Sequence, residues 1–213
     1  WAQKDKTALT WMNAYIDGCP VTERAGYQVE TNAFWYDMLC FATEMESKYG
    51  RKTSGFVEKW SPVRDMVAEN YQKMFWMPDK GYLADYVDNN GQNTDVRPNQ
   101  LFALAVHHQP VDDTVLGSMM NVVDRELVTS RGIRTLSPRD LKYRGVYEGT
   151  QRERDLAYHQ GCAWPALLLP YARIKFRMDG AAFCKRAEWL MEGFYDDLNK
   201  HGVGMFSKLY DGD

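Results

Sequence analysis

The sequence predicts an all-α fold of concentric helical hairpins, on three observations. Apolar residues recur at helical spacing along most of the 213 residues. Segments apolar on all sides alternate with segments that carry one apolar stripe. The alternation repeats loosely, about every 64 residues, because Asn32, Asn99 and Gln160 open successive all-round apolar segments 67 and 61 residues apart. A helix apolar all round is buried all round, whereas a one-stripe helix covers the outside of something. Each pair therefore reads as an inner helix followed by an outer one, as in an (α/α) toroid or a solenoid.

The elements follow in order. The run from Glu30 to Gly50 (ETNAFWYDMLCFATEMESKYG) is the first inner helix. From Ser54 to about Trp76, the residues Phe56, Trp60, Val63, Val67, Tyr71 and Met74 step by 4, 3, 4, 4 and 3, one stripe of an outer helix. Pro62 is expected to bend or break it. Residues 98–108 form the second inner helix. Residues 112–127 form its outer partner, with Val115, Met119, Val122, Val123 and Leu127 as the stripe. Residues 160–177 and 181–199 repeat the scheme, the last stripe being Phe183, Ala187, Leu190, Phe194 and Leu198. Gly50, Gly180 and Gly202 stand at expected helix ends. Residues 81–91 (GYLADYVDNNG) alternate and end on Asn-Gly, the signal of a small β-hairpin.

Loop lengths are unequal. Short links (50–53, 109–111, 178–180) join inner to outer helices, and long loops (13–29, 77–96, 128–158) lead into the inner ones. The long loops should gather at the N-termini of the inner helices, where free N–H groups and partial positive charge favour hydroxyls and carboxylates. Three hairpins cannot close a ring. Residues 1–213 are therefore expected to be a single partial toroid domain, a piece of something longer.

Composition excludes several functions. The 26 basic and 29 acidic residues are well mixed, so no basic field exists for nucleic acid or an anionic membrane. No window of 18 apolar residues suggests a membrane span. Cys19, Cys40, Cys162 and Cys184 are scattered, read as reduced core residues, and suit a cytoplasmic setting. The four histidines show no zinc-binding spacing, so no metal or cofactor is expected. The 7 Trp and 13 Tyr serve either a large core or stacking surfaces for flat ligands such as sugar rings.

Polar-aromatic clusters lie in the long loops: TWMN (10–13) with ERAGYQVETNAFWY (23–36), DVRPNQ (95–100), YRGVYEGTQRERDLAYHQGCAW (143–164) and MFSKLYDGD (205–213). Sugar sites need that mixture of aromatic faces and planar polar groups. Plainer readings stand beside it. Arg97 could pair with Asp95 and open a helix at Pro98, His159 and Gln160 could cap one, and Trp35 and Trp164 could be core. Inverting glycoside hydrolysis needs two carboxyl groups about 6.5–9.5 Å apart. The candidates are Glu30, Asp95, Glu148, Asp155 and Asp211, and Glu148 and Asp155 lie in the richest loop.

Several strings, taken in order, resemble the C-terminal glucosidase part of glycogen debranching enzymes, the amylo-α-1,6-glucosidase family. They are TWMN (10–13), TERAGYQVETNAFWY (22–36), RPNQLFAL (97–104), GIRTLSPRD (132–140), YRGVYEG (143–149), RDLAYHQG (154–161) and DGD (211–213). The resemblance implies a glucoamylase-like (α/α)6 toroid, with helices before Trp1 and after Asp213. It implies inverting removal of the α-1,6-linked branch glucose, without a cofactor, from branched α-glucan or a maltooligosaccharide. Two positions depart from the family pattern. Asn13 stands where the general acid is expected, and Lys208 where the general base is expected; Ala166 also replaces an aromatic residue. Asn is no carboxylic acid and Lys is already protonated near neutrality, and losing one such group removes about 10²–10⁴ of rate. The binding set is Trp11, Glu30, Asn32, Trp35, Arg97, Asn99, Tyr147, Arg154, His159, Gln160 and Trp164, with Glu148 and Asp155 as the remaining catalytic candidates. Three functions follow: a debranching-type α-glucosidase, a glucan-binding relative without the acid–base pair, or a helical scaffold with no sugar site.

Overall fold

The computed structural model describes residues 7–51, 53–200 and 204–213. Helix α1 spans Val29–Tyr49 and α2 spans Phe56–Phe75. A 3-10 turn at Pro98–Gln100 leads into α3, Leu101–Ala105, and another at Asp113–Val115 into α4, Leu116–Glu126. Helix α5, Gln151–Ala157, sits inside the third long loop, where no helix was expected. Its start is legible in hindsight. Thr150 and Glu153 form a reciprocal capping box, each satisfying the other's backbone N–H. Helix α6, Leu168–Asp179, follows a 3-10 turn at Pro165–Leu167, and α7, Cys184–Lys200, follows one at Gly180–Phe183. Gly202, the expected end of α7, lies outside the described residues.

Helix α3 packs between α1 and α6, so the three inner helices stand side by side as an arc of an α/α toroid. The stripes of α2, α4 and α7 are buried or half-buried, as their periodicity requires, and most join one apolar core with Leu101, Leu104, Tyr171 and Ile174. Three local expectations change. Helix α2 runs through Pro62 without a break. Gln160 does not open the third inner helix. Residues 163–164 pair as a strand, and helical turns begin only at Pro165, a residue preset for a first turn. Cys40 and Cys162 are buried, but Cys19 and Cys184 are exposed.

Inner helices at the ends of the arc are not buried all round. On α1, Phe34, Met38 and Phe41 are exposed, because α2 and α3 cover only part of its circumference. Leu169 and Phe176 of α6 are exposed for the same reason.

Small sheets tie the long loops together at one end. Tyr27–Gln28 pairs with Tyr86–Asp88, which pairs in turn with Gly91–Gln92; the two-residue turn is Asn89-Asn90 rather than the expected Asn-Gly, because Gly91 pairs with Asp88. Val128–Thr129, Gly132–Arg134 and Ala163–Trp164 form a second three-stranded sheet. Ala163 also exchanges two backbone hydrogen bonds of 2.9 Å with Tyr210, drawing the last residues onto the same end.

At the other end of α1, His108 lies between Asp37 (2.8 Å) and Glu44 (2.9 Å). Burial opposes its protonation, but hydrogen bonds and charge from both carboxylates outweigh burial and raise its pKa above 6.5. The folded state therefore holds a proton that the unfolded state releases at lower pH. The stabilisation is complete below about pH 6.5 and is lost as pH rises through the raised value. Thermal unfolding of the full-length protein should show the midpoint falling through that window, and His108→Gln should flatten the slope. An unchanged slope in the variant would refute the linkage.

Candidate functional site

Four aromatic rings and one imidazole meet where the three inner helices begin. Trp11 comes from the first loop, Tyr147, Tyr158 and His159 from the third, and Trp164 from the strand before α6. Trp11 lies edge-on to His159 at 5.2 Å and to Trp164 at 5.3 Å between ring centroids. His159 stacks on Trp164 at 5.3 Å, with 22° between the planes. Tyr158 contacts both, and Tyr147 extends the row at 5.8 Å from Tyr158. Gly161 makes the turn possible. Its φ is 153°, and a Cβ there would meet the Arg144 carbonyl oxygen at 2.5 Å.

Beneath the rings is a buried polar frame. Arg24 forks onto Glu30 (2.5 and 2.7 Å) and onto Asp85 (2.6 and 3.1 Å), and donates to the Asp85 carbonyl (3.0 Å). That carbonyl also accepts from Val29 N, at the start of α1, at 3.1 Å. Asn99 donates to Asp85 (2.7 Å) and accepts from the Trp11 indole (2.8 Å), which fixes the plane of Trp11. Arg97 spans the next gap. It reaches the carbonyls of Thr135 (3.1 Å) and His159 (2.8 Å), the Gln160 side chain (2.8 Å) and Asp95 (3.2 Å). Burial would raise the Asp95 pKa, but the hydrogen bond from Lys142 and the charges of Arg97 and Lys142 hold it low. The plainer sequence reading of Arg97 is thus also correct: it pairs with Asp95 and precedes the 3-10 turn at Pro98.

His159 is fully buried, yet neither ring nitrogen has a hydrogen-bond partner. Burial, reinforced by the charges of Arg97 and Lys208, pushes its pKa down to about 3. It is therefore neutral near pH 7, offering one N–H donor and one acceptor to whatever reaches it.

Lys208 points its ammonium at the same corner. Nζ is 2.6 Å from the Tyr158 hydroxyl, and 5.4 and 5.2 Å from the ring centroids of Tyr158 and Trp164. Asp211 accepts from the Tyr147 backbone N–H at 2.7 Å, at the edge of a groove of about 450 Å³. Asn13 is exposed between buried Met12 and Ala14, two residues from Trp11, with no hydrogen bond among the described residues.

The remaining predicted residues lie apart from the rings. Glu148 is exposed on a separate groove with Tyr143 and Glu153. Asp155 accepts from Gln151 (2.8 Å), and Arg154 donates to Gln151 (3.0 Å) and to the Gly149 carbonyl (2.6 Å), so both brace α5. Asn32 is half-buried and donates to the Gln28 carbonyl at 2.8 Å. Trp35 faces Trp60 of α2 at 5.9 Å, on the outer side of α1. A groove of about 660 Å³ between Tyr36, Gln72 and Val111 has none of these residues in its walls. No group of three or more metal-ligating side chains occurs among the described residues.

The amylo-alpha-1,6-glucosidase family model matches residues 1–213, the whole chain. The chain belongs to the amylo-alpha-1,6-glucosidase family. A glycogen debranching enzyme of Saccharomyces cerevisiae is 25% identical over 250 aligned residues, covering 95% of this chain but 16% of that protein. The chain thus spans about a sixth of that relative's length. The neutral trehalase of the same yeast superposes with a TM-score of 0.55 at 14% identity, over 86% of this chain and 34% of that one. At that identity the likeness concerns the fold.

Within this glucosidase-family arc, sequence reasoning missed Asp85, Arg24 and Tyr158. Arg24 and Tyr158 lay inside quoted strings, but nothing local marked them. Asp85 sat in the expected hairpin, next to Tyr86, and looked like a turn residue. Arg24 is the most exacting of the three. Removing it takes from buried Glu30 its cation and leaves Asp85 with only Arg97 at 3.8 Å and the Asn99 amide, at a cost of about 3–5 kcal/mol. Denaturant unfolding of an Arg24→Met variant of the full-length protein should show a loss of that size. A loss below about 1 kcal/mol, the range of exposed pairs, would mean the frame does not carry the loop end.

Proposed function

We propose that this chain forms the glucosyl-binding wall of a debranching-type α-1,6-glucosidase domain and engages branched α-glucan or maltooligosaccharide. The observation that carries the reading is His159. A buried, neutral imidazole with both nitrogens free, set among Trp11, Tyr158 and Trp164, matches what one sugar ring requires. The apolar face of the ring stacks on an aromatic, and two hydroxyls find a donor and an acceptor. The frame of Arg24, Glu30, Asp85, Asn99, Arg97 and Gln160 holds that wall still. The relative's name, glycogen debranching enzyme, supplies the glucan class.

A second reading, binding without hydrolysis, is favoured by the two family positions that lack carboxylates. Asn13 cannot deliver a proton to a leaving oxygen, and an ammonium at Lys208 cannot take one from water. Glu148 lies on another groove and Asp155 is held by Gln151, so neither is aimed at the aromatic corner. Asp211 is tied to the row of rings through its bond to Tyr147 N.

Two measurements on the full-length protein test these readings. Calorimetry should detect maltotriose binding, and His159→Phe should weaken it tenfold or more while leaving thermal stability equal or higher. That variant keeps a ring in the stack but removes two unsatisfied buried nitrogens, each costing about 1–3 kcal/mol. If maltotriose does not bind, or binds His159→Phe equally well, the sugar site is lost and the helical scaffold remains. Glucose release from limit dextrin should be absent or feeble in the parent and should appear in Asn13→Asp combined with Lys208→Glu. Vigorous release by the parent would sink the binding-only reading. No gain in the double variant would sink the assignment of those positions.

A further inference from the structure

We infer that the site takes a glucosyl unit carrying an anionic substituent, a phosphomonoester or a carboxylate, with Lys208 as its counter-ion. The inference rests on the sugar-site reading above and narrows its ligand class.

Lys208 is exposed, and its ammonium has three donors. One reaches the Tyr158 hydroxyl at 2.6 Å. No carboxylate lies within ion-pair distance of it among the described residues, although acidic side chains are close in sequence. Those neighbours are committed elsewhere. Asp197 accepts from Ser207 at 2.9 Å and from the Tyr210 hydroxyl at 2.6 Å. Asp211 accepts from Tyr147 N at 2.7 Å, and Asp213 accepts from the Tyr143 hydroxyl at 2.6 Å. Arg97, beneath the rings, is neutralised by Asp95 and walled off from solvent. Lys208 therefore presents an unneutralised positive charge to solvent at the aromatic corner, with exposed Arg131 over the Tyr210 ring on the adjoining groove.

Its position makes that charge usable. Nζ stands over the faces of Tyr158 and Trp164 at 5.4 and 5.2 Å, which hold it near the rings through cation–π attraction. The same rings flank His159, whose unpartnered nitrogens supply the independent sign that a ligand belongs there. A sugar hydroxyl on His159 and an anionic oxygen on Lys208 would bridge the two across Trp164. A lysine is a point charge that suits phosphate as well as carboxylate, and the neutral imidazole adds no cost to an anion. The carboxylate implied at this position by the family pattern would instead repel such a ligand.

Calorimetry of the full-length protein at low salt, with glucose, maltose, glucose 6-phosphate, glucuronic acid and inorganic phosphate, tests the inference. At least one anionic sugar should bind about tenfold more tightly than glucose, the worth of one charge-assisted hydrogen bond. The preference should shrink in high salt, vanish in Lys208→Gln and persist in Lys208→Arg, with circular dichroism confirming that both variants are folded. Which acid wins distinguishes the ester from the carboxylate. Equal binding of neutral and anionic sugars overturns the inference, as does a preference that survives Lys208→Gln, binding of inorganic phosphate as tight as that of glucose 6-phosphate, or no binding at all. Failure of the sugar-site reading has a different signature. Maltose and glucose would not bind, while a Lys208-dependent anionic ligand would.

Discussion

The loop end of this molecule depends on one guanidinium. Arg24 is buried, and burial alone would discourage its charge, yet Asp85 and Glu30 hold its pKa above the ordinary arginine value. Through Glu30 it grips the first turn of α1, and through Asp85 it grips the loop between α2 and α3. Asp85 in turn holds Asn99, and Asn99 holds the Trp11 indole. With Arg97, Asp95 and Lys142 the frame contains three charges of each sign, so it is neutral as a whole. Buried ions add little net stability over apolar packing. What this frame provides is direction, because a planar fork accepts its partners in few geometries.

That rigidity bears on function through what is left unsatisfied. Nearly every buried polar group at the loop end is paired, often twice. Among the described residues the exceptions are the Thr22 hydroxyl and the imidazole of His159, and the imidazole sits among the aromatic rings rather than within the ionic frame. Stability is thus concentrated in the layer below, and the unpaired capacity lies in the layer that a ligand would meet. Lys208 stands at the edge of that ring layer, outside the ionic frame.

Much of this was legible in the sequence. Periodicity of 3.6 residues separated inner from outer helices, and the stripes of α2, α4 and α7 are buried or half-buried as that period requires. The small hairpin closing at Gly91 and the clustering of long loops at one end also followed from local rules. The misses were local rules overruled by tertiary partners. Helix α1 looked apolar all round, but only two of its sides have neighbours in the arc. Gln160 looked like a helix opener, but pairing of Ala163 with Arg134 and Tyr210 keeps the chain extended until Pro165.

The sequence by itself determined the family, the helical hairpins and the open arc, because each is written in neighbouring residues or in a fixed period. Only the tertiary structure decided which polar residues share a site. It joined Trp11 to Asn99, His159 and Trp164 from three loops, and it set Trp35, Glu148 and Asp155 apart. It also made Asp85 a hub and His159 an orphan. Those roles depend on which partners reach within about 3 Å, the range over which a hydrogen bond forms. Sequence spacing does not encode that distance between loops.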